Sequence, residues 1–179
     1  MELSLYISAA AEMDAECELI GQLLAGLPRS ARWTIKRTPM AGTNELLDLA
    51  ALINSSIYVI LLGADLKAPM GVEWEAAGAA GIRRLAYRCT TRVASPAAGS
   101  FAREAGAVWQ RYDEPHALLR QFERGLIQTL INGTPGYGLD LQAISELAAR
   151  LQELDDQPDE PQTEDRRGAG HGGVILASR

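Results

Sequence analysis

The sequence predicts an α/β domain of three layers around a five-stranded parallel sheet, and three observations carry the prediction. Strand-like and helix-like segments alternate along residues 1–133, as they do when crossover helices join parallel strands. Ile57-Tyr-Val-Ile-Leu-Leu62 is apolar at every position, the composition of a central strand covered on both faces. The chain has 179 residues, 47% hydrophobic and 22% charged, which is enough to bury one core and too little for two ordinary domains.

Taken in order, Leu3-Ser-Leu-Tyr-Ile-Ser8 alternates and is rich in strand formers, so it reads as the first strand. Met13, Cys17, Ile20, Leu24 and Leu27 then recur at helical spacing until Pro28. Glu12, Asp14, Glu16 and Glu18 crowd the first half of that helix, where its dipole favours negative charge, and they read as a solvated face. Ala31–Arg37 is the second predicted strand, and Thr43 or Asn44 is placed to cap a helix carrying Leu46, Leu49, Ala50 and Ile53. Ile57–Leu62 is the third strand, followed by a helix from about Gly71. Arg84–Cys89 is the fourth, Ser95-Pro96 marks a helix start, and Ala107–Tyr112 is the fifth. Asp113 then caps a helix with Leu119, Phe122, Leu126 and Leu130 that Asn132-Gly133 closes. A five-membered alternation of this kind is flavodoxin-like.

Beyond residue 133 the character changes. Gly133-Thr-Pro-Gly-Tyr-Gly138 is a linker by composition. A helix from Asp140 carries Leu141, Ile144, Leu147, Ala148, Leu151 and Leu154 on one stripe, which either packs back on the sheet domain or meets a partner helix, and residues 134–154 are grouped accordingly. From Asp155 the chain is acidic, contains Pro and is nearly free of apolar residues, so residues 155–179 are expected to be disordered in isolation. The closing glycines and Val174-Ile-Leu176 read as a terminal remnant or as a peptide that adds to a sheet edge.

Composition also excludes. A net charge of −6 without a basic face argues against duplex nucleic acid. No apolar run approaches the roughly 20 residues that span a bilayer, and Met1–Tyr6 lacks a signal-peptide layout. A cytoplasmic location follows as the expectation. Cys17 and Cys89 lack metal or redox spacing and read as free thiols, and His116 and His171 have no partners at ligand spacing, so neither a metal nor a cofactor is expected.

In such a sheet, ligands bind in the crevice beyond the carboxyl ends of the strands. Three loops are expected there: Ser8-Ala9-Ala10-Ala11, Thr38–Thr43, and Gly63–Gly71 with Asp65 and Met70. Their small residues and glycines allow close backbone approach, and helix N-termini offer N–H groups to anions. Neither GxGxxG nor GxxxxGK[ST] is present, which disfavours a standard dinucleotide fold or P-loop. The candidate reactive groups are Glu73 and Glu75, in the first turn of the helix after Gly71. A helical wheel puts Val72, Ala76, Ala79 and Ala80 towards the sheet with the two carboxylates on opposite flanks, a poor fit to a paired-carboxylate glycosidase. One Glu beside a small-residue pocket can instead stabilise a ribosyl oxocarbenium ion or attack it. The alternative is that both are ordinary first-turn acids.

Ile7-Ser-Ala-Ala-Ala-Glu-Met13-Asp-Ala-Glu16-Cys-Glu-Leu-Ile20 resembles, with one gap, the "ISST...DMxxERxxL" opening of a TIR-like domain of unknown function found at the N-terminus of bacterial STAND-type NTPases. Ser55–Gly63 and Val72-Glu73-Trp-Glu75-Ala-Ala are similar to that family's strand and helix signatures. The region also resembles nucleoside 2-deoxyribosyltransferases, whose helix opens on a catalytic Glu and reaches a Gly eight positions on. Glu73 and Gly81 keep that spacing and single out Glu73. Ala9 and Ala10 stand where the resembled opening has Ser and Thr, and Cys17 where it has a basic residue. The resemblance implies a signalling or assembly module of a bacterial conflict system, self-associating, with a nucleotide such as NAD as ligand and a protein partner reached through the C-terminal helix or tail. Its alternative implication is an enzyme that cleaves the N-glycosidic bond of NAD or a nucleoside through Glu73.

Overall fold

The computed structural model describes residues 2–27, 32–39, 46–133 and 137–156. Its five strands are β1 (Glu2–Ala9), β2 (Arg32–Arg37), β3 (Ile57–Leu62), β4 (Arg83–Cys89) and β5 (Gln110–Tyr112). They form one parallel sheet in the order β2-β1-β3-β4-β5. That order is the flavodoxin-like one, and connections reverse direction between β1 and β3. The helices are α1 (Asp14–Gly26, entered through a 3-10 turn at Ala11–Met13), α2 (Leu49–Ile53), α3 (Met70–Ala79), α4 (Pro96–Glu104), α5 (Pro115–Asn132) and α6 (Leu141–Asp156).

Strand alternation divides the core in two. Leu3, Leu5 and Ile7 of β1, with Ile57, Val59 and Leu61 of β3, face α1 and α5 and pack with Met13, Cys17, Ile20, Leu118, Phe122 and Leu126. Tyr6, Tyr58 and Ile60 face the other way, towards Leu52 of α2 and Met70, Trp74 and Ala77 of α3. The second layer is aromatic: Tyr6 stacks on Tyr58, Tyr58 meets Trp74 edge-on, and Trp74 stacks on Trp109. β3 is buried at all six positions, as a strand between two helical layers requires.

Several elements depart from expectation; α5, for one, has Glu114 and not Asp113 at its N-cap. The wheel for α3 is rotated from the observed one: Met70, Glu73, Trp74 and Ala77 are buried, while Val72 and Ala79 lie outside. The helix is apolar nearly all round, so its periodicity does not orient it, and the bulky Met70 and Trp74 take the core. α2 begins at Leu49 with Asp48 as its cap, accepting from the Ala51 N–H at 2.9 Å. Leu46 precedes the helix and is exposed. Thr43 and Asn44 lie outside the described residues. β5 contains only Gln110–Tyr112, because Ala107 and Trp109 pack against the aromatic layer instead.

α6 packs in cis. Asp140 caps it, and Ala143, Leu147 and Leu154 are buried, the last two within the α1/α5 core. Leu141 and Ala148, expected on the same stripe, are exposed. Arg150 forms a two-pronged pair with Glu123 of α5 at 2.7 and 3.2 Å, and Arg124 donates to the Leu154 carbonyl. Asp155 and Asp156 belong to this helix rather than to the tail. Residues 157–179, with Val174-Ile-Leu176, lie outside the described residues. No helix among the described residues is long and apolar enough to cross a membrane.

Candidate functional site at the carboxyl edge of the sheet

Glu73 is the centre of the site. Glu73 occupies the first turn of α3 on the side that faces β1, and its side chain is fully buried. Oε1 accepts from the Tyr6 hydroxyl at 2.8 Å, and Oε2 accepts from Ser8 at 2.5 Å and Thr38 at 2.7 Å. The strand pattern makes this possible. Tyr6 and Ser8 are two apart on β1 and so share the face that α3 covers. Thr38, just past β2, is drawn in by its N–H, which donates to the Ile7 carbonyl at 3.0 Å, and its hydroxyl in turn accepts from the Ala9 N–H at 3.2 Å. A buried carboxyl needs its lone pairs occupied, and three hydroxyls from two segments do so here. Burial first, then the bond to Glu73 and its charge, push the Tyr6 phenol above its ordinary range, so it remains a donor.

A cleft of about 530 Å³ lies on the β2 side of this network, lined by Tyr6, Ile35, Lys36, Arg37, Thr38, Pro39, Leu46 and Asp48. Two of its wall residues, Tyr6 and Thr38, are therefore the residues that hold Glu73. Arg37 is anchored by Asp14 at 2.5 Å, which joins the end of β2 to the start of α1. Lys36 is exposed along the cleft.

The other edge of β1 carries the second half of the site. After β3 the chain passes through Gly63, and the Glu12 carboxylate reaches across to accept from the N–H groups of Ala64 at 2.6 Å and Asp65 at 3.3 Å. A Cβ on residue 63 would require that carboxylate and the Met13 sulfur to shift. Asp65 is bonded by Lys67 at 2.8 Å and by Ser95 at 2.6 Å, and these two hold its carboxyl down at about 2. Ser95 also caps α4 through the Ala98 N–H.

The residues singled out by sequence thus take different places. Glu73, Ser8 and the Ala9 N–H share one network, whereas Glu75 is exposed on the outer side of α3. Ala10 and Met70 are buried in the aromatic layer, and Gly71 sits half-buried with open space beside it. Gly63 and Asp65 belong to the Glu12 contact and its bracing. Tyr6, Lys36, Arg37, Asp48 and Glu12 were not among the candidates. The alternation of β1 was the available signal for Tyr6, since it puts residue 6 on the face of Ser8. No group of His, Cys, Asp and Glu among the described residues is arranged to hold a metal.

The fold and this edge define a flavodoxin-like α/β protein with a hydroxyl-ringed carboxyl beneath a cleft. No protein-family model and no curated protein matches the chain.

Proposed function

We propose that the protein is a ligand-responsive signalling or assembly module of the TIR-like kind, which binds a nucleotide at the carboxyl edge and does not cleave it. The observation that supports this reading most is the enclosure of Glu73: both carboxyl oxygens are engaged by Tyr6, Ser8 and Thr38, and none of its surface is exposed. A nucleophile or oxocarbenium stabiliser must come within about 3 Å of the reacting carbon. A carboxyl so enclosed acts instead as a tie between α3, β1 and the segment after β2. Ligand arriving in the cleft presses on a wall in which Tyr6 and Thr38 are buried, and through them shifts α3, which gives the module a route from binding to a changed outer surface.

One observation favours a second reading, N-glycosidic cleavage of NAD or a nucleoside by Glu73. Tyr6 and Thr38 are common to the cleft wall and the carboxyl network, so the carboxyl lies only one side chain behind the cleft. The two readings separate in one experiment: titrate the wild-type chain and Glu73→Gln with AMP and NAD, following binding by calorimetry and turnover by chromatography. The module reading expects saturable binding and no product from either protein. Turnover by wild type that disappears in Glu73→Gln would replace it with the enzyme reading.

A further inference from the structure

The contact between Glu12 and the β3–α3 loop has the form of a bound anion. Two successive backbone N–H groups, from Ala64 and Asp65, converge on one carboxylate oxygen, an arrangement that proteins use to hold phosphate and carboxylate groups. It stands between β1 and β3, where the sheet order reverses and where ligands of this fold bind. The occupant is a side chain of the protein itself, and it comes from an otherwise exposed residue.

The loop does not depend on Glu12 for its shape. On its far side the Ala64 carbonyl accepts from the Ser95 N–H at 2.7 Å. The Asp65 carboxyl accepts from Ser95, the Leu66 N–H and Lys67. These bonds fix the loop to the start of α4, so the two N–H groups stay aimed at the same point when the carboxylate leaves. Such preorganisation is what an anion site needs, because little ordering remains to oppose binding. Lys67 and Arg92 both feel the charge of Glu12, and each is also paired with another carboxylate, Asp65 and Glu16 respectively.

We infer that the Ala64–Asp65 N–H pair is a seat for a phosphate-class oxyanion, such as the phosphate of a nucleotide, and that Glu12 is an internal plug that a ligand displaces. The inference rests on reading the carboxyl edge as a ligand crevice, and it assigns the phosphate to the β3 side of β1 and not to the Lys36 cleft. The plug sets a threshold: only an oxyanion that outcompetes a tethered carboxylate opens the seat.

The test is a titration of the full chain with inorganic phosphate, and separately with AMP, followed by backbone amide NMR shifts at low salt. Wild type is compared with Glu12→Ala and with Glu12→Ser, a residue well suited to a helix entrance should the alanine variant fold poorly. Glu12→Gln keeps an oxygen in the seat and serves as the filled control. The expected result is that the Ala64 and Asp65 amides of the opened variants shift at phosphate concentrations at least tenfold below those needed by wild type or Glu12→Gln. Absence of shifts at these two amides, or the same midpoint in all four proteins, overturns the inference. If AMP shifts Lys36 and Thr38 in wild type while the opened variants gain nothing at Ala64 and Asp65, the inference falls and the nucleotide reading survives. If the opened variants gain phosphate while AMP shifts nothing in wild type, the seat stands and the nucleotide reading falls.

Discussion

At the scale of single residues, Glu73 carries the clearest energetic consequence. Replacing it with Ala leaves the hydroxyls of Tyr6, Ser8 and Thr38 facing one another without their common acceptor. Buried polar groups deprived of a partner cost about 1 to 3 kcal/mol each, less where hydroxyls can turn to one another. Glu73→Ala is therefore expected to lower unfolding free energy by about 3 kcal/mol, measured by urea denaturation, and Glu73→Gln by less. An Ala variant as stable as wild type would mean that the network contributes nothing. Cys17 gives a second expectation, since burial pushes its thiol from 9.0 up to about 11. The native thiol should resist iodoacetamide at pH 8 and react only on unfolding, as judged by mass spectrometry. Because the folded protein keeps this proton longer than the unfolded chain, the associated stability is complete below pH 9. It is lost as pH rises towards 11, at about 1.4 kcal/mol per pH unit. Glu73 itself was singled out through the resemblance, by its eight-residue distance to Gly81. In the structure Gly81 has a φ of 69° and ends α3, with its N–H donating to Gly78 and that of Ile82 to Ala77. Ser8 and Thr38 were expected at the same crevice, but that they and Tyr6 bond Glu73 was not legible, because the contacts join residues 35 to 67 positions apart.

At the scale of elements, the strands were the most readable part. β3 has its predicted bounds, and β1 and β4 differ from expectation by one residue at one end or both. Their signal is alternation or continuous apolarity, which the layers on either side enforce. The helices on the aromatic side were less readable. α3 has apolar residues on every face, and α2 is so short that its cap, Asp48, decides where it starts. The start of α4 was visible as Ser95-Pro96, and Ser95 has two duties, capping the helix and bonding Asp65. Ser95→Ala should cost about 1 to 2 kcal/mol from the cap alone. It should also loosen the β3–α3 loop, read as faster amide exchange at Leu66 and Ala98. Unchanged exchange at Leu66 would show that Lys67 suffices to hold Asp65.

At the scale of the whole molecule, α6 completes the α1/α5 layer. Leu147 and Leu154 belong to the same buried cluster as Leu24 and Phe122. Leu147→Ala is expected to lower stability by about 2 to 4 kcal/mol. The full chain should still unfold in one transition, whether followed by far-ultraviolet dichroism or by exchange at α6 amides. A separate early transition of α6 would make it an appendage. The sequence left this choice open because a short amphipathic stripe reads alike whether its partner is in cis or in trans.

The ring system beside Glu73 has a practical consequence for such experiments. Trp74, the next residue along α3, is stacked on Trp109, and the Arg84 guanidinium lies 4.0 Å over its indole. Indole emission depends on nearby charge and on the freedom of the ring, and here a cation, a second indole and the buried carboxyl's own helix all converge on one fluorophore. Among the three tryptophans, Trp74 is thus the indole beside the candidate site, and its emission is expected to change when α3 is displaced, before any dye or label is attached.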